Sequence, residues 1–530
     1  MTVHPTYDAV VIGAGPNGLV AANRLVDAGW SVLVLEARPH VGGAVHSDRA
    51  LDPAFEHDMF SSFYPLAAVS PALRSFHLEE QGLAWRHAPA VLGHPLPGGR
   101  WAILHRDREV TAGLLDDQCA GDGDSWLALC ERWDRIGGPL VEALLTPLPP
   151  LRATARGLAR LRSAGGMDLI RMLLTPVGDD TLWPFRGDAA RLLLAGNAAH
   201  SDIPLDAPGS GLMGVLLTML GQTVGFPAPE GGSSRLAEAL RARLEQRGGR
   251  VRCSAPVERV EVDHGRVVAV RAGDGSRIVV RRAVVAAVVA PILYERLVDP
   301  ADLPPRVRRG MQRFQLDPST VKVDWALAGP VPWSSPPPFA PGTVHVADSP
   351  AELSEANGQI SADLVPARPF LLIGQMTTTD PTRSPAGTEA LWAYTHVPQQ
   401  VRGDAGDDAI TGVWDHDEVE RFADRMQQRI EDRAPGFTSL IRARRILGPH
   451  ELEDADPNLL GGAINGGTSQ LHQQLVLRPV PGSGRAETGI RGLYLGSASA
   501  HPGGAVHGAP GMNAARAALA HHRWSLRRGR

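Results

Sequence analysis

Residues 7–36 read "YDAVVIGAGPNGLVAANRLVDAGWSVLVLE". Ala9 to Ile12 is a continuous apolar run, the pattern of a strand buried on both faces. Gly13, Gly15 and Gly18 then fit G-x-G-x-x-G. The first glycine permits a tight turn, the second a close approach of backbone to a pyrophosphate, the third close packing of helix on strand. Pro16 suits the first helical turn, where its missing N–H costs nothing, and Asn17 beside it joins the candidate contacts. Leu19, Ala22, Leu25 and Val26 share one helical face, and Gly29 stops the helix. A second apolar run, "SVLVLE", ends on Glu36, about 20 residues past the glycines, where an acid can bind ribose hydroxyls. Strand, glycine turn, helix, strand and acid together predict a dinucleotide site in an α/β unit.

Two further stretches say which dinucleotide. Residues 37–47, "ARPHVGGAVHS", follow Glu36 directly. Gly42 and Gly43 offer a second close approach near the same pyrophosphate, flanked by Ala37, Arg38 and Ala44; a nicotinamide-binding unit does not need it. Residues 492–519 read "GLYLGSASAHPGGAVHGAPGMNAARAAL": a strand at 493–495, a glycine-rich turn, and a helix starting near Gly508. Open backbone N–H groups and a helix N-terminus suit an anionic or electron-rich ligand. Gly496, Ser497, Gly503, Gly504, Ala505, Val506 and Asn513 are its candidate contacts. Two glycine-rich sites at opposite chain ends imply a large cofactor held at both, which favours FAD. Cys119, Cys130 and Cys253 lie outside both motifs, so the flavin is expected to be non-covalent. None forms a C-x-x-C pair, and no H-E-x-x-H spacing occurs; no metal site or disulfide framework is expected.

These ends resemble the phytoene desaturase-like FAD oxidoreductases, within the wider glutathione-reductase-type superfamily that includes amine oxidases and protoporphyrinogen oxidase. The middle is similar too: "LAGNAAHSDIPLDAPGSG" (194–211), "GFPAPEGGSSRLAEAL" (225–240), "VKVDWALAGPVPW" (321–333) and "GGAINGGTSQLHQQLVLRP" (461–479). The resemblance implies a glutathione-reductase-type Rossmann FAD domain and a discontinuous substrate domain of mixed sheet plus helices. It further implies that Val257 touches the adenine through its backbone. None of these motifs specifies a substrate.

The cofactor domain is expected from 1–75, 225–300 and 455–530, and the substrate domain from 76–224 and 301–454. Residues 85–106 read as short strands around Gly98-Gly99. Residues 124–178 read as helical, broken by "TPLPP" at 146–150. In "LRATARGLARLR", Arg152, Arg156 and Arg160 fall on one side and leucines on the other, either a solvated face or an interfacial helix touching lipid. Ser233 or Ser234 should cap a helix with Leu236, Leu240 and Leu244 inward. Turn signals at His264-Gly265 and Asp274-Gly275 divide 251–287 into a meander. Val419, Phe422, Ala423, Met426 and Ile430 predict a helix that Pro435 ends.

Lys322 is the only lysine among 53 basic residues. It shares a strand face with Asp324, away from Val321, Val323 and Trp325. The segment is similar to the amine-oxidase strand whose lysine holds a water near flavin N5; the alternative is a surface lysine paired with Asp324. Asn465, in the loop 461–467, and the histidines His200, His501 and His507 are further candidates to face a flavin. The expected activity is desaturation of a hydrophobic small molecule by hydride transfer to the flavin, with electrons leaving to oxygen, a quinone or another acceptor. Amine or C–N oxidation, isomerisation on reduced flavin, and a flavin-binding scaffold without turnover stay open.

A formal net charge of −4 argues against nucleic-acid binding, which needs a basic surface. The basic stretch "HHRWSLRRGR" at 521–530 reads as a solvated tail. The opening residues lack a signal-peptide pattern, so a cytoplasmic protein is expected. Peripheral membrane contact and homo-oligomerisation are left open.

Overall fold

The opening apolar run forms the strand Thr6–Ile12. In the computed structural model, which describes residues 4–179 and 183–528, this strand pairs in parallel with Val32–Leu35 and with Arg277–Ala286. Arg250–Arg252 and Leu493–Leu495 extend the parallel sheet at either side. Segments distant in sequence therefore meet in one sheet. Alternate residues explain the uninterrupted apolar run: Ala9 and Val11 enter one core cluster, Val10 and Ile12 the other. The first cluster lies under helices Pro16–Val26, Ser234–Gln246 and Ala509–Arg528. The second lies under the antiparallel strands Val257–Asp263 and Arg266–Ala272, which continue the sheet through Arg277–Ala286. Each fully buried aliphatic side chain here contributes about 1.5–3 kcal/mol.

Close backbone packing sets the cleft. A Cβ at Gly18 would stand 2.0 Å from the Gly13 carbonyl oxygen, and one at Gly511 1.8 Å from that of Asn17. The N-terminal ends of the first and last long helices therefore touch, and only glycine fits at either contact.

A second sheet runs in the order Ile441–Leu447, Ser319–Leu327, Glu389–Val397, Leu371–Gln375, Pro341–Val346, Ala90–Pro95, Trp101–Leu104. All its neighbours are antiparallel except Pro341–Val346 with Ala90–Pro95. Helix His416–Glu431 covers one face. Its Val419, Phe422, Ala423, Met426 and Ile430 pack against Val321, Val323 and Trp325, as the spacing predicts. Asp415 caps the helix by accepting from Glu418 N at 3.0 Å. The other face carries Thr320, Lys322 and Asp324, and Lys322 Nζ donates to the carbonyl of Asp58 in the N-terminal segment.

Helices Asp122–Leu145, Leu151–Leu161 and Met167–Leu174 stand where 124–178 reads as helical. The break at 146–150 falls on three prolines, which cannot continue a helix. Among the described residues no helix is long and apolar enough to cross a membrane.

Two local expectations fail. Ser233 holds the N-cap position of its helix but makes no capping bond. Instead its N–H donates to Asp58 Oδ1 at 2.8 Å, and Ser234 Oγ accepts from Ser47 N at 2.8 Å. Ser233 itself has helical dihedrals, φ −60° and ψ −32°, rather than the extended backbone of a cap. Residues 521–528 are not a trailing tail but the end of the last helix. His521 Nδ1 pairs with the Tyr494 hydroxyl at 2.9 Å, and the His522 ring meets Trp30 edge-on; residues 529–530 lie outside the described residues.

Candidate cofactor and catalytic site

The cleft is built around Glu36. Its buried carboxylate accepts from Ala14 N at 2.6 Å and from Arg38 N at 2.9 Å. This ties the glycine turn Gly13–Gly15 to the end of the second strand. Backbone bonds from Ala255 to Glu36 (2.8 Å) and from Ser254 to Arg38 (2.9 Å) bring the start of the meander, with half-buried Val257, to the same place. Gly42 N donates to Ala14 O at 3.0 Å, which sets Gly42 and Gly43 opposite Gly15. Ala37 is exposed, and Arg38 and Ala44 are half-buried along this rim. Pro16 opens the helix that starts beside them.

Three residues here hold four buried polar atoms without a partner: Asn17 Oδ1, Arg38 Nε, and both amide atoms of Asn513. Buried polar groups are normally paired, so this set fits a ligand rich in hydroxyls and phosphates. Two helix N-termini meet here, and they favour an anion. FAD matches both features. Gly496 N donates to Ala286 O at 2.7 Å, which docks the C-terminal turn on the sheet, and Ser497 Oγ accepts from Ser499 N at 3.2 Å. Gly503, Gly504, Ala505 and half-buried Val506 then lead into the last helix.

The loop 461–467 packs on that turn: a Cβ at Gly504 would fall 2.6 Å from Asn465 Oδ1. Two residues the sequence reading passed over hold the loop. The Asp317 carboxylate accepts from Ile464 N (2.8 Å), Asn465 N (2.8 Å) and Gly467 N (2.9 Å). The Arg478 guanidinium donates to the carbonyls of Asn465 (3.0 Å), Gly467 (3.2 Å), Thr468 (2.8 Å) and Ala498 (2.8 Å). Both side chains are fully buried. No spacing in the chain links Asp317 to Arg478; the one hint was an arginine inside the otherwise apolar "LVLRPV".

Lys322 is paired with Asp324 but is not at the surface: it is 3% exposed. Its Nζ also donates to Asp58 O at 2.9 Å. Asp324 is shared with Arg445, whose Nη2 lies 2.8 Å away and which also reaches Asp48. Asp58 in turn accepts from buried Arg383 at 3.0 Å. Burial pushes the Lys322 ammonium below its ordinary value, against the pull of Asp324. For Asp324, burial works upward, but the charges of Lys322, Arg445 and His57 hold it below the usual carboxylate range. On the neighbouring strand Trp392, Tyr394 and His396 stand opposite Asp324, Lys322 and Thr320. They form the rest of this buried face, with Phe63 against Trp392.

The histidines do not join Lys322. His200 Nε2 contacts His345 Nε2 at 2.9 Å, and His345 Nδ1 contacts His94 Nε2 at 3.2 Å, a chain within the second sheet and its helical cover. Burial lowers His200 and His94 to about 3. His501 Nε2 pairs with Thr146 O at 3.1 Å. His507 takes up the C-terminal turn through Gly504 O (2.9 Å) and Ala509 N (3.1 Å), and burial lowers it to about 4. The side chains of Lys322, His200 and His501 thus each have their own partners, while Asn465 is held through its backbone.

A cavity of about 990 Å³ lies beside the start of the last helix, lined by Trp133, Val141, Leu145, Leu220 and Met512 and by the charged Arg74, Glu142 and Arg516 among others. Thr146, whose carbonyl meets His501, also borders it.

Comparison with known proteins agrees with this architecture. Residues 11–77 match the NAD(P)-binding Rossmann-like domain family, and residues 159–355 match the flavin-containing amine oxidoreductases. A Mus musculus protein, pyridine nucleotide-disulfide oxidoreductase domain-containing protein 2, is 28% identical over 96% of this chain and 93% of its own. Hydroxyneurosporene desaturase of Cereibacter sphaeroides is 26% identical over 96% of this chain and 97% of its own. The solved structure of cyclohexylamine oxidase from Brevibacterium oxydans shares the fold, with a TM-score of 0.56 at 16% identity over 99% of this chain and 100% of that one. Together with the glycine turns and the paired helix N-termini, these likenesses support an FAD-dependent oxidoreductase similar to the carotenoid desaturases and flavin amine oxidases.

Proposed function

We propose that the protein desaturates a hydrophobic small molecule. The observation that carries this is the cavity of about 990 Å³ beside the start of the last helix, where Trp133, Val141, Leu145, Leu220 and Met512 give an apolar wall and Arg74, Glu142 and Arg516 add charge. Its size suits a ligand larger than a simple amine. Bound FAD supplies the hydride acceptor. The chain's own residues orient it: Glu36 toward a ribose, Asn17 and Asn513 toward its polar middle, and the loop 461–467 with the C-terminal turn toward its ring. Lys322 keeps an ammonium in a water-poor face, where it can hold a water or pass a proton. The flavin is held without a covalent bond, and electrons leave to oxygen, a quinone or another diffusing acceptor.

The second reading is amine oxidation. What favours it is the aromatic face beside Lys322, where Trp392 and Tyr394 stack with centroids 5.9 Å apart. Anaerobic mixing of the holoenzyme with hydroxyneurosporene in detergent, and separately with putrescine and cyclohexylamine, tests both. Bleaching of the flavin absorbance by the polyene alone is the expected result. Bleaching by an amine alone favours the second reading, and none by any of them removes both.

We further propose peripheral membrane contact through 151–174. Leu151, Leu158, Met167 and Leu174 are all more than half exposed, the first and third at 72%. Arg152, Arg160, Arg162 and Arg171 accompany them, while Arg156 is paired with Glu142. An apolar row edged by arginines suits an anionic lipid surface.

A further inference from the structure

The turn at 456–459 brings a carboxyl group into the dinucleotide cleft that no glycine motif announces. Asp456 follows helix Pro449–Ala455. Its Oδ1 accepts from Asn458 N at 3.0 Å, and its carbonyl accepts from Leu459 N at 2.8 Å. Asn458 Oδ1 accepts from Val289 N at 3.0 Å. This fastens the turn just beyond the strand Arg277–Ala286, where Ala287 N donates to Ile12 O at 2.8 Å. The first glycine turn starts at that same point.

Asp456 Oδ2 consequently lies 3.4 Å from where a Cβ on Gly43 would stand, and Gly15 Cα lies 3.3 Å from that position. The carboxyl group overlooks the Gly15–Gly43 approach, where a pyrophosphate meets the backbone. It is only 7% exposed. The charged groups that face it are Glu36 and Arg38. Burial raises its pKa, Glu36 adds to the rise, and Arg38 and the Asn458 hydrogen bonds oppose it.

We propose that Asp456 is a cofactor ligand that binds the FAD pyrophosphate as the neutral acid, donating its O–H to a phosphate oxygen. This rests on the cleft being the FAD site. A carboxylate there would face phosphate and Glu36 with like charge, whereas the acid form offers a donor to an acceptor-only group. FAD binding then takes up one proton wherever free Asp456 is ionised. The sign follows: the pKa of Asp456 is higher in the complex than in the free protein. Affinity is full below the free value and falls about tenfold per pH unit above it, until the value in the complex is reached.

The test is titration of the apoprotein with FAD, read by flavin fluorescence between roughly pH 5 and pH 10, a range that brackets a raised carboxyl pKa. Wild type, Asp456→Asn and Glu36→Gln are compared, with circular dichroism confirming the fold. Wild-type Kd should rise with pH. Asp456→Asn, whose amide N–H donates at every pH, should stay flat and bind more tightly than wild type at the alkaline end. Calorimetry in two buffers of different ionisation enthalpy should find proton uptake by wild type and none by Asp456→Asn. Parallel pH profiles for the two, or weaker binding by Asp456→Asn throughout, overturn the proposal. If Glu36→Gln alone weakens binding, the cleft stands and Asp456 falls. If neither substitution changes Kd, or wild type binds no FAD, the siting of FAD in this cleft fails and takes the proposal with it.

Discussion

The carboxylate of Glu36 accepts two backbone N–H groups at 2.6 and 2.9 Å, so a substitution there acts on the glycine turn as well as on a ribose. Glu36→Gln keeps an acceptor and loses the charge. Loss of a charge-assisted bond costs about 1.5–3 kcal/mol, or about a 10- to 150-fold rise in FAD Kd. An unchanged Kd would show that Glu36 serves the turn alone. Glu36→Ala should also destabilise the apoprotein by about 1–3 kcal/mol, because it strands the N–H groups of Ala14 and Arg38; urea unfolding measures this. Lys322→Met poses a different case. Asp324 keeps Arg445 at 2.8 Å, so the cost should stay below the ~3–5 kcal/mol of a buried pair broken outright. FAD should remain bound while one flavin half-reaction slows, reoxidation rather than reduction. Stopped-flow measurement of both halves, after FAD content is checked, decides it; wild-type rates in both would make the Lys322–Asp324 pair purely structural.

Elements whose logic is local were legible in the chain. The helix His416–Glu431 and the meander follow from apolar spacing and from turn residues a few positions apart, and both stand where expected. Contacts that join distant segments were not. Asp317 and Arg478 are 161 residues apart in number, yet both serve the loop 461–467. His94, His200 and His345 come from three separate elements. Nothing in the spacing of such residues encodes their meeting, because the fold that unites them is set elsewhere. Ser233 failed as a cap for a local reason: its backbone is already helical (φ −60°, ψ −32°), so its Oγ is not presented to the free N–H groups of the first turn. The helices Leu151–Leu161 and Met167–Leu174 show the converse. Their amphipathic pattern was legible, but the leucine side faces out: Leu158 is 64% exposed. Replacing Leu151, Leu158, Met167 and Leu174 together by serine should weaken binding to phosphatidylglycerol-containing vesicles at least tenfold, since each buried side chain is worth about 1.5–3 kcal/mol. Flotation assays measure this. Equal binding by the variant, or equal binding to neutral vesicles, would count against membrane contact through these helices.

At the scale of the whole molecule, buried histidines link both sheets to the solution pH. Burial lowers His57 and His507 to about 4 and His94 and His200 to about 3. His57 stands beside the Lys322–Asp324 pair, His507 in the C-terminal turn, and His94 and His200 in the second sheet and its cover. In the unfolded chain each would take up a proton near pH 6.5. Between that value and the folded ones, the unfolded state binds more protons, so stability falls as the pH falls. Each histidine contributes a slope of about 1.4 kcal/mol per pH unit in this window. Four such groups would remove on the order of 8 kcal/mol between pH 6.5 and 5, comparable to the whole stability of a typical domain. The melting temperature should therefore drop steeply below about pH 6, well above the range in which carboxylates titrate. His94→Gln should reduce the slope by about one proton, because glutamine does not ionise. The readout is the pH dependence of the midpoint in urea at fixed temperature. A profile flat from pH 6.5 to 5 would mean that these rings titrate in the folded protein as they do in the unfolded chain, and one that His94→Gln leaves unchanged would mean this of His94.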